Sequence, residues 1–311
     1  MAAMTVVPRV SVIVPVYNGA ETIGACLEAL VAQDYPKDQL EILVVDNKST
    51  DETARVVARY PVRCVREDQA QSSYAARNRG VGEASGELLA FTDADCVPAR
   101  DWLRRGVAAF ADARIGGVAG EIQPLPPQTI AQRYAVEKRA LSQEGALRQN
   151  SYRPAVYTAN AFYRKRALEQ AGLFDPSVKS GGDADLAWRV QERLGLTLAY
   201  CPEAVVYHEH RRRVRDLLKQ RRNYGYGSVV NYVKHRQQMG RRTLRQAWWE
   251  LASLGRRLGR FAGALGRWAC SGGCSGVWRE RTAIEGLDVL AFCAKKLGQW
   301  HAALRYRVWY L

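Results

Sequence analysis

Residues 88–98 read LLAFTDADCVP, which places two carboxylates, Asp93 and Asp95, one residue apart at the end of an apolar run. Leu88 to Phe91 read as a buried strand. Alternate side chains of an extended chain share a face, so Asp93 and Asp95 are expected to point at one spot. Two anions held that close need a positive charge between them, or one must take up a proton. A divalent cation on Asp95 meets that need, because hard cations prefer carboxylate oxygen and bridge phosphates. Taken alone, the same residues also fit a loop whose aspartate caps a helix beginning near Trp102.

The elements that must position these carboxylates alternate through the first 120 residues. VSVIVPVY (10–17) is β-branched and apolar on both faces, ETIGACLEALVAQ (21–33) has helical periodicity, and EILVVDN (41–47) is a second buried strand. STDETARVVARY follows with Ser49 and Glu52 at capping-box spacing, then VRCVRE (62–67), SSYAARNRGVGEA and LLAFTDAD. This is the pattern of a parallel sheet wound with helices, where ligands sit beyond the carboxyl ends of the strands. Polar residues collect at those ends: Tyr17 and Asn18, Asp46 and Asn47, Asp93 and Asp95. PVYNGAET matches neither glycine-rich phosphate loop, so a bound nucleotide needs its phosphates neutralised another way. Between about 121 and 210 the pattern is mixed: a Pro-rich turn, a helical stretch over 128–147, a strand at TANAFYRK (158–165), a helix at DADLAWRVQERLG (183–195) and extended chain at TLAYCPEAVVYHEH (197–210). This part is expected to pack on the same sheet and supply the surface for a second substrate.

Charge is unevenly spread along the 311 residues. The formal total is +15, yet residues 1–204 hold 24 basic and 25 acidic side chains, whereas residues 205–311 hold 22 and 6. In that last third arginines recur every three or four residues beside Leu, Phe and Trp, as on an amphipathic helix lying on an anionic membrane surface. Helices whose charged face is solvated and whose other face packs on protein give the same pattern. No run of 18 apolar residues suggests a membrane span, and the first residues lack the flank and cleavage site of a secretory signal. A cytoplasmic protein, peripheral at the inner face of the plasma membrane, is therefore expected, with one domain over 1–210 and a basic helical region over 211–311. Seven scattered cysteines form neither a disulfide framework nor a paired zinc pattern, and the lone CSGGC at 270–274 reads as chance.

SVIVPVYNGAETI, VVDNKSTDET, AARNRGVGEASGELLAFTDADCVP, SGGDADLAWRVQERLG and VVYHEH occur in the order that resembles the family 2 glycosyltransferases, over about residues 10–235. The resemblance implies an α/β fold of the GT-A type, Rossmann-like with a mostly parallel sheet and flanking helices, here with a basic helical C-terminal extension. It implies inverting sugar transfer from a nucleotide-sugar, a UDP-sugar foremost, to a glycan or lipid-linked acceptor, with Mn²⁺ or Mg²⁺. Carried over by residue, Pro15 and Tyr17 border the nucleotide, Asp46 accepts from the imide of the base, and Arg77 orders the pocket. Asp93 contacts ribose or diphosphate, Asp95 and His208 bind the metal, with His210 as the alternative histidine, and Asp183 is the general base. Asn47 and Lys48 depart from the usual Asp-Gly, and Gly182 stands where a Glu is usual, which leaves the acceptor-side polar contact open. Gln220, Arg221 and Arg222 echo the element of processive members, but no Trp follows, so one sugar is expected to be added at a time.

The chemistry suits these residue types on its own terms. An attacking hydroxyl needs a carboxylate to take its proton, and a departing diphosphate needs its charge met. Each residue also has a plainer reading: Asp46 as a cap for Ser49–Thr50, Arg77 as a partner of Glu83 or Glu87, Asp183 and Asp185 as acids favoured at a helix start, and His208 as a structural histidine. A non-catalytic scaffold on the same fold is the alternative function. Nucleic acid is not an expected partner, because no recognisable module accompanies the charge.

Overall fold

The computed structural model describes residues 7–148 and 152–310. Its strands are β1 (Val10–Val16), β2 (Leu40–Asp46), β3 (Arg63–Arg66), β4 (Leu88–Thr92), β5 (Cys96–Pro98), β6 (Ile115–Pro124), β7 (Asn160–Arg164) and β8 (Thr197–His208). Its α-helices are α1 (Ile23–Val31), α2 (Thr53–Val57), α3 (Ser73–Glu83), α4 (Trp102–Ala108), α5 (Ile130–Glu137), α6 (Gln143–Arg148), α7 (Lys165–Ala171), α8 (Gly182–Leu194), α9 (Val214–Met239), α10 (Leu244–Cys270) and α11 (Gly276–Tyr306). They form two compact units. The first takes the chain to Leu125 with Leu141–Val178 and Gly182–Glu209, the second Pro126–Ala140, Lys179–Gly181 and His210–Leu311. Residues 126–140 and 179–181 thus go with the C-terminal helices.

The first unit is one sheet in the order β3-β2-β1-β4-β7-β6-β8-β5. β3, β2, β1 and β4 are parallel and joined in turn through helices, as the alternating pattern requires. β7 runs antiparallel to both β4 and β6, β6 is parallel to β8, and β5 is antiparallel to β8. Val10, Val12, Val14 and Val16 of β1 join Val44, Ile23, Leu27 and Leu30 in a core that extends through Trp102 to Phe162. Ile13 and Phe91 are equally buried on the other face, which is why these strands read as unbroken apolar runs.

Three expected details differ. The helix foreseen over 128–147 is two helices, because Arg139 (φ 47°) and Leu141 (φ 64°) take the left-handed conformation after α5. No glycine announces that stop. The capping box foreseen at Ser49–Glu52 does not form: α2 begins at Thr53, and Ser49 Oγ instead accepts the Asn18 N–H at 3.0 Å. Asp51 accepts the Ala20 and Thr53 N–H groups at 3.1 and 3.0 Å, so these polar residues latch the loops after β1 and β2 together. Finally, Asp93–Cys96 is a turn closed by Cys96 N–H on Asp93 O at 3.0 Å, not an extension of β4, so strand alternation is not what orients the two aspartates.

The second unit is helical. Ala131 and Tyr134 of α5 pack with Leu217, Ile284, Leu287 and Ala291. In the Tyr-Gly-Tyr-Gly stretch, Gly225 matters: a Cβ there would lie 1.9 Å from Lys295 O, and one at Gly298 would lie 1.9 Å from Arg222 O. Helices α9 and α11 thus touch backbone to backbone through a pair of glycines. Asp288, buried in this unit, holds Arg260 at 2.7 Å, Arg257 at 3.2 Å and the Tyr134 hydroxyl at 3.2 Å. No described helix is long and apolar enough to cross a membrane.

Candidate active site

Strand pairing builds the first part of the site. Cys96 of β5 lies opposite His208 of β8, and Glu209 N–H reaches Asp95 O at 3.4 Å, so the DAD turn is held against the end of β8. His208 Nε2 is 3.7 Å from Asp95 Oδ1. One donor atom from each of Asp95, Cys96 and His208 lies within 4.8 Å of the others, the one such group of three among the described residues. Mn²⁺ and Mg²⁺ prefer oxygen and imidazole nitrogen to thiol sulfur, so the Asp95 carboxylate and His208 imidazole are the natural donors and buried Cys96 is their neighbour. That pair fits Mn²⁺ or Mg²⁺ on its oxygen donor and accepts imidazole as Mn²⁺ does. His210, the alternative histidine, lies past the end of β8 in the second unit, where its carbonyl accepts from Gln132 Nε2 at 3.2 Å.

The second part is a buried charge chain. Arg77 of α3 is almost wholly buried and its Nη2 donates to Asp93 Oδ1 at 2.5 Å. It does not pair with Glu83, which takes Arg63 and Arg79. Burial opposes the charge on Arg77, but Asp93 and Asp183 outweigh it and raise its pKa. Register then brings in Asp183: Thr92 pairs with Asn160, so Thr158 stands beside the DAD turn, and its N–H donates to Asp183 Oδ2 at 3.3 Å. Asp183 Oδ1 is buried with no hydrogen-bond partner. Burial raises the Asp183 pKa, while Arg77, the Thr158 N–H and Tyr74 pull it down and Asp93 pushes it up. Its helix neighbour Asp185 is different in kind: it is bonded to Arg189 at 2.8 Å, which also holds Ala171 O and Leu173 O. The structure therefore separates an aspartate tied to an arginine from one, two residues away, with an oxygen that has no hydrogen-bond partner.

The residues expected to border a nucleotide lie at the ends of β1 and β2. Val16 is in register with Asp46 and Pro15 with Val45, and Tyr17 follows, half-exposed. Asp46 is buried and Oδ1 accepts the Ser49 N–H at 2.9 Å, a bond within the loop after β2 and not a helix cap, because α2 begins only at Thr53. A Cβ at Gly19 would lie 3.7 Å from Ala94 Cβ, which sets the loop after β1 against the DAD turn. Asn47 donates through Nδ2 to Glu67 O at 3.1 Å and Ala70 O at 2.8 Å, bonds that an aspartate could not give. Lys48 sits at φ 67°, which explains why glycine is usual there. Two contributors escaped the sequence: Cys96, visible only once β5 and β8 are paired, and Tyr74, whose hydroxyl accepts the Gly182 N–H at 3.0 Å beside Asp183.

The first unit is an open α/β sheet with polar residues at its strand ends, a carboxylate–imidazole pair and a buried carboxylate oxygen without a hydrogen-bond partner. The profile of glycosyl transferase family 2 matches residues 11–172. Over 251 residues the chain is 35% identical to glycosyltransferase AglE of Haloferax volcanii, covering 78% of this chain and 80% of that one. Over 306 residues it is 29% identical to the pre-mycofactocin glycosyltransferase of Mycobacterium tuberculosis, covering 95% of this chain but only 63% of that protein's length. Among solved structures, the mannosyltransferase PcManGT from Pyrobaculum calidifontis, in complex with GDP-Man and Mn²⁺, superposes with a TM-score of 0.66 at 24% identity, covering 95% of this chain and 88% of that one. Glucosyl-3-phosphoglycerate synthase of Mycobacterium tuberculosis, with Mn²⁺, UDP-glucose and phosphoglyceric acid, gives 0.54 at 19% identity, covering 76% and 81%. The fold is GT-A, and the chain belongs to glycosyl transferase family 2.

Proposed function

We propose that this protein is a metal-dependent, inverting glycosyltransferase that moves one sugar at a time from a nucleoside-diphosphate sugar, UDP-linked foremost, to a hydroxyl of a glycan or lipid-linked acceptor. The observation that carries the reading is Asp183: a buried carboxylate with an unpartnered oxygen, coupled through Arg77 to the aspartate turn. Asp183 Oδ1 takes the proton of the acceptor hydroxyl as it attacks, a contribution of roughly a hundredfold or more. Its raised pKa suits a base that must bind a proton transiently. Arg77 holds the Asp93 carboxylate toward the ribose or diphosphate of the donor, and Pro15, Tyr17 and Asp46 line the base end. Asp95 and His208 would hold Mn²⁺ or Mg²⁺, which when bound meets the charge on the departing diphosphate as a Lewis acid. Calorimetry with UDP, with and without Mn²⁺, tests the reading: metal-dependent binding that Asp95→Ala removes is expected, and binding indifferent to both would instead favour a scaffold.

The second unit carries an exposed amphipathic face of its own. On α10, Leu244, Trp248, Leu251, Leu258 and Leu265 recur at helical spacing and are all exposed, with Arg245 and Arg256 exposed alongside. With 22 basic against 6 acidic residues from 205 onward, that face complements an anionic membrane surface. We read residues 211–311 as a region that seats the enzyme on the inner face of the plasma membrane. Flotation with vesicles tests it: capture by phosphatidylglycerol vesicles and not by phosphatidylcholine is expected, and equal failure with both would refute it.

A further inference from the structure

Position 182 holds glycine where the family pattern has glutamate, and the backbone does not demand it. Gly181 has φ 85°, but Gly182 is not among the glycines with positive φ. The demand comes from Tyr74: a Cβ at Gly182 would lie 2.8, 2.9 and 3.0 Å from three atoms of the Tyr74 ring. Tyr74 cannot easily yield that space. It is buried, stacks on Phe174 with centroids 5.7 Å apart and planes at 18°, and has the Arg77 guanidinium 5.7 Å from its own ring centroid. Phe174 is itself pinned, its N–H and carbonyl bonded to the Asn78 side chain at 3.0 and 2.8 Å.

We infer that Tyr74 is the positioning residue for the base, its ring filling the place of the missing side chain at 182 and its hydroxyl fixing Gly182 and Asp183 against α3. The inference rests on Asp183 being the base, as proposed above. The Tyr74 hydroxyl accepts the Gly182 N–H at 3.0 Å and stands beside the Asp183 carboxylate. The phenol is held neutral by burial and by the Asp183 charge, so it has a proton to donate toward the carboxylate. With the Thr158 N–H on Oδ2, these contacts hold the carboxylate, and Oδ1 keeps no hydrogen-bond partner. One aromatic residue from α3 thus occupies the space beside the base on α8 that a side chain at 182 would take.

Every charged or titratable neighbour of Asp183 named here bears on the test: Tyr74 and Arg77 on α3, Asp93 in the turn after β4, and Tyr163 on β7. Tyr74→Phe keeps the ring and removes the hydroxyl. It is expected to lower kcat about three- to tenfold, the rate equivalent of one hydrogen bond. KM for the donor should stay the same, and the acidic limb of the pH–rate profile should move to higher pH, because one contact that lowers the Asp183 pKa is gone. Tyr74→Ala with Gly182→Glu, which opens the ring's space and refills it with a carboxylate, should recover part of the kcat lost by Tyr74→Ala alone. A Tyr74→Phe enzyme with unchanged kcat and limb, whatever its melting temperature, would overturn the inference. Asp183→Asn, run in parallel, separates the two claims: if that variant stays active the base assignment itself has failed, and if it is dead while Tyr74→Phe is normal only the role of Tyr74 has.

Discussion

Arg77 Nη2 and Asp93 Oδ1 lie 2.5 Å apart, with the arginine side chain 5% exposed and the aspartate side chain 33% exposed. A buried guanidinium therefore meets the edge of an open site, and the same guanidinium also stabilises the charged form of Asp183. Removing one member of such a pair leaves the other uncompensated.

Arg77→Ala should accordingly destabilise the protein by about 3 kcal/mol. It should also shift the acidic limb of activity to higher pH, because Asp183 loses its largest charge-stabilising partner. Chemical denaturation and a pH–rate series check both, and Arg77→Lys should recover stability only in part, since an ammonium is more strongly hydrated than a guanidinium and costs more to bury.

The aspartate–cysteine–histidine group separates ligands from a bystander. His208→Ala should weaken Mn²⁺-dependent nucleotide binding at least tenfold. Cys96→Ala should leave it within about threefold, because Mn²⁺ takes oxygen and imidazole nitrogen in preference to a thiol. Calorimetry on the two variants reads the difference directly.

Lys48 occupies a left-handed backbone position at φ 67°. Such a conformation costs a non-glycine residue roughly 1–2 kcal/mol, partly offset by the greater chain entropy that glycine loses on folding. Lys48→Gly should stabilise the protein by about 0.5–1 kcal/mol in urea denaturation.

The raised pKa of Asp183 has a consequence for stability. The folded state binds the Asp183 proton more readily than the unfolded chain does, so this group opposes folding once pH rises through its folded pKa. Asp183→Asn should therefore raise the melting temperature at pH 8, and the gain should vanish in acid, where wild-type Asp183 is already protonated. Thermal scans across pH check the sign.

Much of the scaffold was legible because burial on both faces writes itself into composition: Val10–Val16, Leu40–Asp46 and Leu88–Thr92 are strands where the apolar runs stand. The DAD turn was not, since an apolar run says where a strand is buried but not where it stops, and Cys96 N–H closing on Asp93 O is a local bond without a glycine or proline to signal it. Pairing of Cys96 with His208 depends on a register between distant strands, which no local period contains. Tyr74 read as part of an Ala-rich helix, and its meaning lies in Gly182, a residue remote in sequence that only folding brings to its ring. Arg139 ended a helix in the left-handed conformation that propensity assigns to glycine or asparagine.

The central claim is that Asp183 Oδ1, buried and unpartnered, receives the acceptor's proton. The most direct test is turnover of the Asp183→Asn enzyme with nucleotide-sugar and acceptor, measured beside Mn²⁺-dependent UDP binding by the same preparation. Loss of transfer by a hundredfold or more, about the contribution of a general base, with UDP affinity retained, is the predicted result. Wild-type turnover in that variant would contradict it.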